Sequence, residues 1–273
     1  MRTHLIIPDT QVKPGVPLDH LSWIGRYIVE KKPDVVVHLG DNWDMHSLSK
    51  YDEGKRAMEG ARVSDDIDSG NKGMRLLLDP LKKHNKKKAK WKEKQYKPRL
   101  VFTVGNHEYR INRYVEDYPK LHGFLGMHSL SLDEWEVVPF NHIIKIDGIA
   151  YSHYFYNPDT GKPYGGMMET RIKNVGFPFT QGHQQGKRVG ERHLGDGTVH
   201  RGLVVGSCYI HDEKYKGPQG NHHYRGIVVK REVSDGNYDL MEVSLDFLCR
   251  KYEGLRLSSY MEKTYGADWR KSL

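Results

Sequence analysis

Five short apolar runs in this chain each end in polar side chains of the kinds that bind metal ions. The clearest is the run 35–39, which leads into Asp41 and Asp44. A short β-branched run is typical of a buried strand, and ligands in open α/β sheets bind at the carboxyl edge of the strands. The other runs end in the following side chains: Asp9 with Gln11, Asn106 with His107, His153, and His183 with Gln185. The sequence therefore predicts one metal site at a shared sheet edge.

The first two runs are joined by a segment with a helical pattern. Apolar residues recur with helical spacing over 18–31, and Pro33 separates this segment from the second run. A strand–helix–strand unit predicts parallel strands with a right-handed crossover. Further on, Asp147 and Gly148 stand between two apolar runs and predict a hairpin. We expect an α/β (α+β) fold with two packed mixed sheets flanked by helices, forming a single domain over 1–273 with a helical tail at 245–273.

The net charge of +8 is concentrated in one segment. Residues 82–99 carry ten Lys or Arg against the single acid Glu93, which leaves the rest of the chain at −1. We interpret this segment as a basic insertion. Its cationic and aromatic side chains are expected to contact the phosphates and bases of a nucleic acid: Lys86, Lys87, Lys88 and Trp91. The alternative is a solvated surface segment without a partner.

The composition predicts a folded protein of the cytoplasm. A hydrophobic fraction of 37% supports a core. No apolar run approaches the roughly 20 residues that a membrane span needs, and no signal peptide precedes the first run. Cys208 and Cys249 have neither a disulfide framework nor zinc-finger spacing and are expected to be reduced thiols. The sequence predicts no membrane partner and leaves the oligomeric state open.

The order of the polar segments resembles that of the calcineurin-like metallophosphoesterases. The similarity runs from Asp9 to Gln185, and Gly-Asn-His-Glu at 105–108 is its most specific piece. The segments 8–15 and 182–186 are similar to a branch of this family that tailed bacteriophages often carry. A phage-encoded protein would act in the cytoplasm of the host cell. The resemblance implies the calcineurin-like metallophosphoesterase fold.

The resemblance also implies a role for each predicted ligand. Asp41 would be shared between two divalent metals, and Asp9 would bind the first of them. The second metal would be held by Asn106, His153 and His183. Two such metals, roughly 4 Å apart, can activate a hydroxide for in-line attack at phosphorus and neutralise the charge that develops there.

Four further side chains are assigned to acid catalysis and substrate binding. By the resemblance, His107 would protonate the leaving oxygen and Asp44 would orient His107 by a hydrogen bond. Arg110 is placed to bind a phosphate oxygen bidentately, with an exposed helix Arg as the alternative. His211 belongs to a segment that is expected either to fold over the site or to be solvated.

Gln11 and Gln185 stand where the family carries histidines. A carboxamide offers a neutral oxygen, which suits hard ions better than zinc-like metals. Three alternatives remain: a first site lined by carboxamides, a first site filled only with substrate present, and a mononuclear or inactive site. Because the acidic residues and His107 are retained, we expect an active enzyme with one tight and one weaker site. Mn²⁺ is the expected ion, and Mg²⁺, Zn²⁺ and Fe²⁺ are the alternatives.

The leading functional hypothesis is a metal-dependent phosphoesterase. It would hydrolyse a phosphodiester in a nucleic acid or a nucleotide by attack of a metal-bound hydroxide. One alternative is a phosphomonoesterase that acts on a nucleic-acid end, a nucleotide or a protein. An alternative of another class is a non-catalytic, metal-poor binding scaffold, and the retention of both His107 and Asp44 argues against it.

Overall fold

Two mixed β-sheets packed face to face form the centre of the computed structural model, which describes residues 1–213, 216–267 and 269. The strands described are β1 (Arg2–Ile7), β2 (Val35–His38), β3 (Arg99–Thr103), β4 (Glu136–Val138), β5 (Ile144–Ile146), β6 (Ile149–Ser152), β7 (Phe179–Gln181), β8 (Arg188–His193), β9 (Val199–Val204), β10 (Gly226–Ser234) and β11 (Asn237–Ser244). The helices described are α1 (Asp19–Lys31), α2 (Val63–Lys90), α3 (Tyr109–Asp117), α4 (Met168–Val175), α5 (Gly217–Gly220), α6 (Leu245–Glu253) and α7 (Leu257–Tyr265).

Both sheets combine parallel and antiparallel strands. The first sheet has the order β11-β10-β1-β2-β3-β4, in which β1 to β4 run parallel and β10 and β11 are antiparallel additions. The second sheet has the order β5-β6-β7-β9-β8, with β6, β7 and β9 parallel. The prediction of two packed mixed sheets flanked by helices is confirmed.

The core is divided by the alternation of side chains along β1. Leu5 and Ile7 point to one face and pack with Leu21 of α1 and Leu77 of α2. Ile6 points to the other face and packs between the two sheets. A smaller cluster lies between the second sheet and α4. This period of two is what buries both faces of a strand in a layered α/β domain.

The predicted connections near the site are confirmed. Helix α1 links β1 to β2, and the two strands pair in parallel. Strands β5 and β6 pair in antiparallel across Asp147 and Gly148, which both have positive φ, as a two-residue hairpin requires. The thiols of Cys208 and Cys249 are free and buried. Of the expected tail 245–273, residues 268 and 270–273 lie outside the described part.

The basic segment 82–99 comprises the end of one helix, a turn and the first residue of a strand. Helix α2 runs through the first half of this segment and ends at Lys90. A turn follows, and Arg99 is already the first residue of β3. Lysine and alanine are good helix formers, so the helix extends into the charged sequence although no apolar stripe continues there.

A membrane-crossing helix would need a long apolar stretch, and none of the helices in the described part has one.

Candidate metal centre

Four of the predicted ligands meet at the carboxyl edges of β2, β3, β6 and β7. One ligand atom from each of Asp41, His153 and His183 lies within 4.8 Å of the others. The Asn106 Oδ1 atom lies 3.0 Å from Nε2 of His153 and 2.9 Å from Nδ1 of His183. The Asp41 Oδ2 atom lies 3.3 Å from Nε2 of His153. A carboxylate, a carboxamide and two imidazoles therefore converge on one point.

The orientation of these imidazoles suits metal binding. His153 donates from Nδ1 to the carbonyl of Leu39 at 2.6 Å, which leaves Nε2 directed at the cluster. A backbone acceptor of this kind fixes the tautomer of a metal-binding histidine. Burial lowers the pKa of His183 to about 4, so its ring is neutral near pH 7 and can donate a lone pair.

Asp9 extends the cluster on the side of β1. Its Oδ1 atom accepts from the backbone N–H of His183 at 3.0 Å. Its Oδ2 atom is buried and has no hydrogen-bond partner in the described part of the chain. Burial raises the pKa of Asp9 to about 7, because a carboxylate there lacks solvation. A divalent cation would supply the missing partner, so the residues present fit the metal that the donor set implies.

Gln11 lies beside this cluster, and Gln185 follows the candidate ligand His183 by two residues. Gln11 donates from Nε2 to Oδ2 of Asp41 at 3.3 Å, and its backbone N–H donates to the carbonyl of Asp41 at 2.9 Å. The Oε1 atom of Gln185 accepts from the hydroxyl of Tyr209 at 2.6 Å. The Tyr209 contact was missed because nothing in the apolar pattern around Tyr209 distinguishes it from a core residue.

Glycines allow the carboxylates to approach neighbouring backbone. A Cβ atom on Gly105 would lie 2.1 Å from Oδ1 of Asp41, and one on Gly182 would lie 2.4 Å from Oδ1 of Asp9. Neither position can carry a larger residue without moving a carboxylate. The glycines that precede Asn106 and His183 are thus part of the site.

His107 and Asp44 form a close pair. The His107 Nδ1 atom lies 2.8 Å from Oδ1 of Asp44 and 2.7 Å from its carbonyl oxygen. The Nε2 atom lies 3.8 Å from Oδ2 of Asp41. Burial lowers the pKa of His107, but Asp41 and Asp44 outweigh it and raise the pKa to about 9. The two carboxylates thus favour the protonated ring, which is the form that a proton donor requires.

The two expected substrate contacts, Arg110 and His211, are engaged with protein groups. Arg110 donates from Nη1 to the carbonyls of Asp44 and Met45, and its Nη2 lies 3.4 Å from Nε2 of His107. His211 is buried and bonds through Nε2 to Glu213 at 2.8 Å. The segment after His211 was expected either to fold over the site or to be solvated, and its residues 214 and 215 lie outside the described part.

Sequence reasoning did not assign a role to Glu108, the last residue of Gly-Asn-His-Glu. Its buried carboxylate accepts four backbone N–H groups. The Oε2 atom accepts from the N–H groups of Asp41 and Gly105, and the Oε1 atom accepts from those of Asn42 and Trp43. The N···O distances are 2.6 to 3.0 Å. Glu108 therefore holds the loop that carries Asp41. The only signal for this role was the position of an acid directly after His107 in a specific motif.

Three of the residues at the site have left-handed backbone conformations. The φ angles are 43° at Gln11, 51° at Asp41 and 63° at His183. Such conformations are uncommon for residues with a side chain and are concentrated at functional sites, where the surrounding structure holds them.

The predicted nucleic-acid contacts lie at the other end of the first sheet. Helix α2 touches the site at Gly70, whose carbonyl accepts from the side chain of Asn42, the residue after Asp41. The lysines 86–88 are at least sixteen residues further along the same helix. At 1.5 Å per residue, they lie about 25 Å from this contact along the helix axis. Trp91 is 65% exposed. Lys88 pairs with Glu93.

Among solved structures, those similar to this chain include two bacterial proteins at low identity. One is a conserved uncharacterized protein of Streptococcus pneumoniae TIGR4, described as a predicted phosphoesterase. It is 11% identical, the alignment covers 89% of this chain and 98% of that one, and the TM-score is 0.30. The other is the NAD nucleotidase of Haemophilus influenzae, at 10% identity, 89% and 49% coverage and a TM-score of 0.29. Among curated proteins, no sequence matches this chain.

The family model of the calcineurin-like phosphoesterases matches residues 4–241. That range contains β2, β3, β6 and β7, most of β1, and all of the predicted ligands. The Asp–His group described above is the metal-binding chemistry that such enzymes use. The chain belongs to the calcineurin-like phosphoesterase family and is a metallophosphoesterase, a hydrolase of phosphoester bonds.

Proposed function

We propose that this metallophosphoesterase hydrolyses phosphodiesters of nucleic acids or nucleotides. The observation that carries the proposal is the His107–Asp44 pair, 2.8 Å apart and 3.8 Å from the candidate metal ligand Asp41. A sugar alkoxide is a poor leaving group, and its departure requires a proton donor. His107 supplies that proton from Nε2, while Asp44 holds Nδ1 and keeps the ring in position.

The charges around the pair favour a diester over a monoester. Lys13 lies 3.0 Å from both carboxylate oxygens of Glu213, and Arg110 donates to two backbone carbonyls. Both cations are thus already engaged by protein acceptors. A phosphodiester brings one negative charge, whereas a monoester brings nearly two and needs more cationic partners. The Nη2 group of Arg110, which lies 3.4 Å from Nε2 of His107, would be the remaining cationic donor for the single charge of a diester.

The donor set supports one tight and one weaker metal site. The tight site would be formed by Asp41, Asn106, His153 and His183. The weaker site would be formed by Asp9, Gln11 and Gln185 together with the shared Asp41. When bound, divalent ions supply Lewis acidity that activates water and neutralises charge at phosphorus. Oxygen ligands favour Mn²⁺ or Mg²⁺ at the weaker site. The segments 8–15 and 182–186 are similar to a branch of the family that tailed bacteriophages often carry. This similarity supports the proposal that the substrate is a nucleic acid.

Two chromogenic esters test this function directly. We expect the purified protein with Mn²⁺ to hydrolyse bis-p-nitrophenyl phosphate faster than p-nitrophenyl phosphate, and a chelator to abolish both reactions until Mn²⁺ is restored. Elemental analysis should find bound metal. The reverse order of rates would favour a phosphomonoesterase, and no hydrolysis of either ester would contradict the proposal.

Replacing both glutamines by histidine should strengthen the weaker metal site. Imidazole nitrogen binds zinc-like metals better than a carboxamide does. We therefore expect the double change Gln11→His with Gln185→His to raise occupancy from about one metal per chain toward two and to shift preference toward Zn²⁺ or Fe²⁺. Calorimetric titration of both proteins measures this.

A neighbouring glutamine provides the control for this experiment. Gln184 accepts from Arg171 at 2.9 Å, so Gln184→His should leave the stoichiometry unchanged. Two equally tight sites in the unaltered protein, or no effect of the double change, would show that Gln11 and Gln185 are not ligands.

Reversing the charge of three lysines should weaken binding of nucleic acid. We expect Lys86→Glu, Lys87→Glu and Lys88→Glu together to lower affinity and flatten its salt dependence, since each lost phosphate contact lowers the slope by roughly 0.7 to 0.9. Fluorescence anisotropy with a labelled oligonucleotide across a salt series measures both quantities. Hydrolysis of a small ester should change little, because the lysines are remote from the metal centre.

Three exposed lysines elsewhere serve as the matched charge control, namely Lys162, Lys173 and Lys263. The same change to Glu at these positions should leave the salt slope unaltered. If the slope for the altered helix equals that of the unaltered protein, the basic end of α2 does not bind nucleic acid.

A further inference from the structure

A cavity of 630 Å³ lies between α3 and the segment 122–128. One wall is a single face of α3, on which residues with helical spacing line up: Tyr109, Asn112, Arg113 and Glu116. The facing wall contributes His122, Leu125, Met127 and His128. We call this space the α3 cavity. Its volume falls in the range of small-molecule sites, and its lining includes none of the residues assigned above to metal binding or proton transfer.

The α3 cavity is connected to the metal centre by a row of aromatic rings. Tyr109 stacks on Phe140 with ring centroids 4.5 Å apart and planes 21° apart. Phe140 meets Tyr154 nearly edge to face at 5.6 Å, and Tyr154 lies 4.8 Å from the ring of His183. Tyr109 also follows His107 by two residues, which limits the separation of their Cα atoms to about 7 Å. The row of rings therefore places the α3 cavity on the side of the metal centre where Tyr154 contacts His183.

The chemistry of the walls defines what fits between them. Tyr109 offers an aromatic face, and Leu125 and Met127 offer apolar surface. Arg113 and Glu116, with the two histidines and Asn112, add donors and acceptors around that surface. A planar heterocycle with a polar edge satisfies both kinds of group, since its face stacks and its edge forms hydrogen bonds. An acyl chain would leave the polar groups without partners.

We propose that the α3 cavity is a nucleobase subsite, which binds the base of the nucleotide whose phosphodiester is cleaved. Tyr109 stacks on the base, and the polar residues of the two walls contact its edge. This inference rests on the proposed function, because it assigns a place to one substituent of the same phosphodiester.

A set of esters with one common leaving group tests the subsite. The p-nitrophenyl phosphate esters of thymidine, linked at the 5′ or the 3′ oxygen, are compared with methyl p-nitrophenyl phosphate and with the ester of 1,2-dideoxyribose, which has the sugar but no base. We expect kcat/KM to be about tenfold or more higher for a thymidine ester than for either base-free ester. Thymidine should also inhibit hydrolysis of that ester competitively, and deoxyribose should not.

Three variants separate stacking from a general effect on α3. In Tyr109→Leu, the ratio of kcat/KM for the thymidine ester to kcat/KM for the base-free ester should fall close to one. Tyr109→Phe should retain the ratio of the unaltered protein. Tyr118→Leu is the matched control, since Tyr118 lies just past the end of α3 and is not among the lining residues. Thermal melting checks that each variant is folded, and the inhibition by thymidine needs no variant.

The possible failures have different meanings. The subsite would be overturned if the unaltered protein hydrolysed the thymidine ester and the base-free esters, including the sugar ester, with equal kcat/KM. It would also be overturned if folded Tyr109→Leu kept the preference for the thymidine ester. Absence of hydrolysis of every ester in the presence of Mn²⁺ would overturn the proposed function instead.

Discussion

Replacing His107 by Asn should lower turnover about 10²- to 10⁴-fold while the protein keeps its metal. The side chain contacts Asp44 at 2.8 Å, whereas its contact with Oδ1 of Asp41 is made by the backbone N–H, which the variant retains. The loss should be largest for esters of poorly acidic alcohols and smallest for a dinitrophenyl ester, whose leaving group needs no proton. Turnover on a series of leaving groups, together with elemental analysis, measures both effects.

The neighbouring candidate ligands Asn106 and His183 provide the contrast. Asn106→Ala and His183→Ala remove groups that lie 2.9 Å apart at the centre of the cluster, so both should lose metal as well as activity. Added Mn²⁺ should restore these variants in part but should leave His107→Asn unchanged. If His107→Asn loses metal as readily as Asn106→Ala does, His107 is a ligand and not the acid.

Replacing Glu108 by Gln should destabilise the protein by about 3 kcal/mol or more and weaken metal binding. The carboxylate accepts two backbone N–H groups at each oxygen, and the NH₂ group of glutamine would face two of these donors. Each buried donor left without an acceptor costs about 1 to 3 kcal/mol. Denaturant unfolding measures the stability, and calorimetry measures the metal affinity that depends on the position of Asp41.

Glu136 offers the same chemical change in another setting. It is half exposed and pairs with Arg99 at 2.8 Å. Exposed pairs of this kind contribute about 0.2 to 1 kcal/mol, so Glu136→Gln should have little effect. Equal destabilisation by the two substitutions would mean that the four hydrogen bonds of Glu108 do not hold the loop.

The central strands could be predicted, and three edge strands could not. The central strands are buried on both faces, and a strand of this kind needs apolar side chains at successive positions. The short apolar runs in the sequence therefore indicated these strands: β1, β2, β3, β6 and β7. Strands β4, β8 and β11 are each at the edge of a sheet, and much of their surface is exposed. An exposed edge strand needs no apolar run, so its sequence lacks the pattern that indicates a strand.

The position of the basic residues also depended on the tertiary structure. Their charge was evident from the sequence, but the length of α2 decides that they lie remote from the metal centre. Similarly, the contact of Tyr154 with His183 and the row of rings that leads to Tyr109 join segments far apart in the chain.

The sequence by itself determined which side chains could bind metal and at which edge of the sheet they meet. Local patterns were sufficient for this, because each of these side chains follows directly on a buried run and parallel strands end together. Only the tertiary structure decided how these candidate ligands are held. The four hydrogen bonds of Glu108 and the left-handed backbone of Gln11, Asp41 and His183 exist because distant segments pack against one another. Contacts of this kind are set by the packed fold, and the spacing of residues along the chain does not encode them.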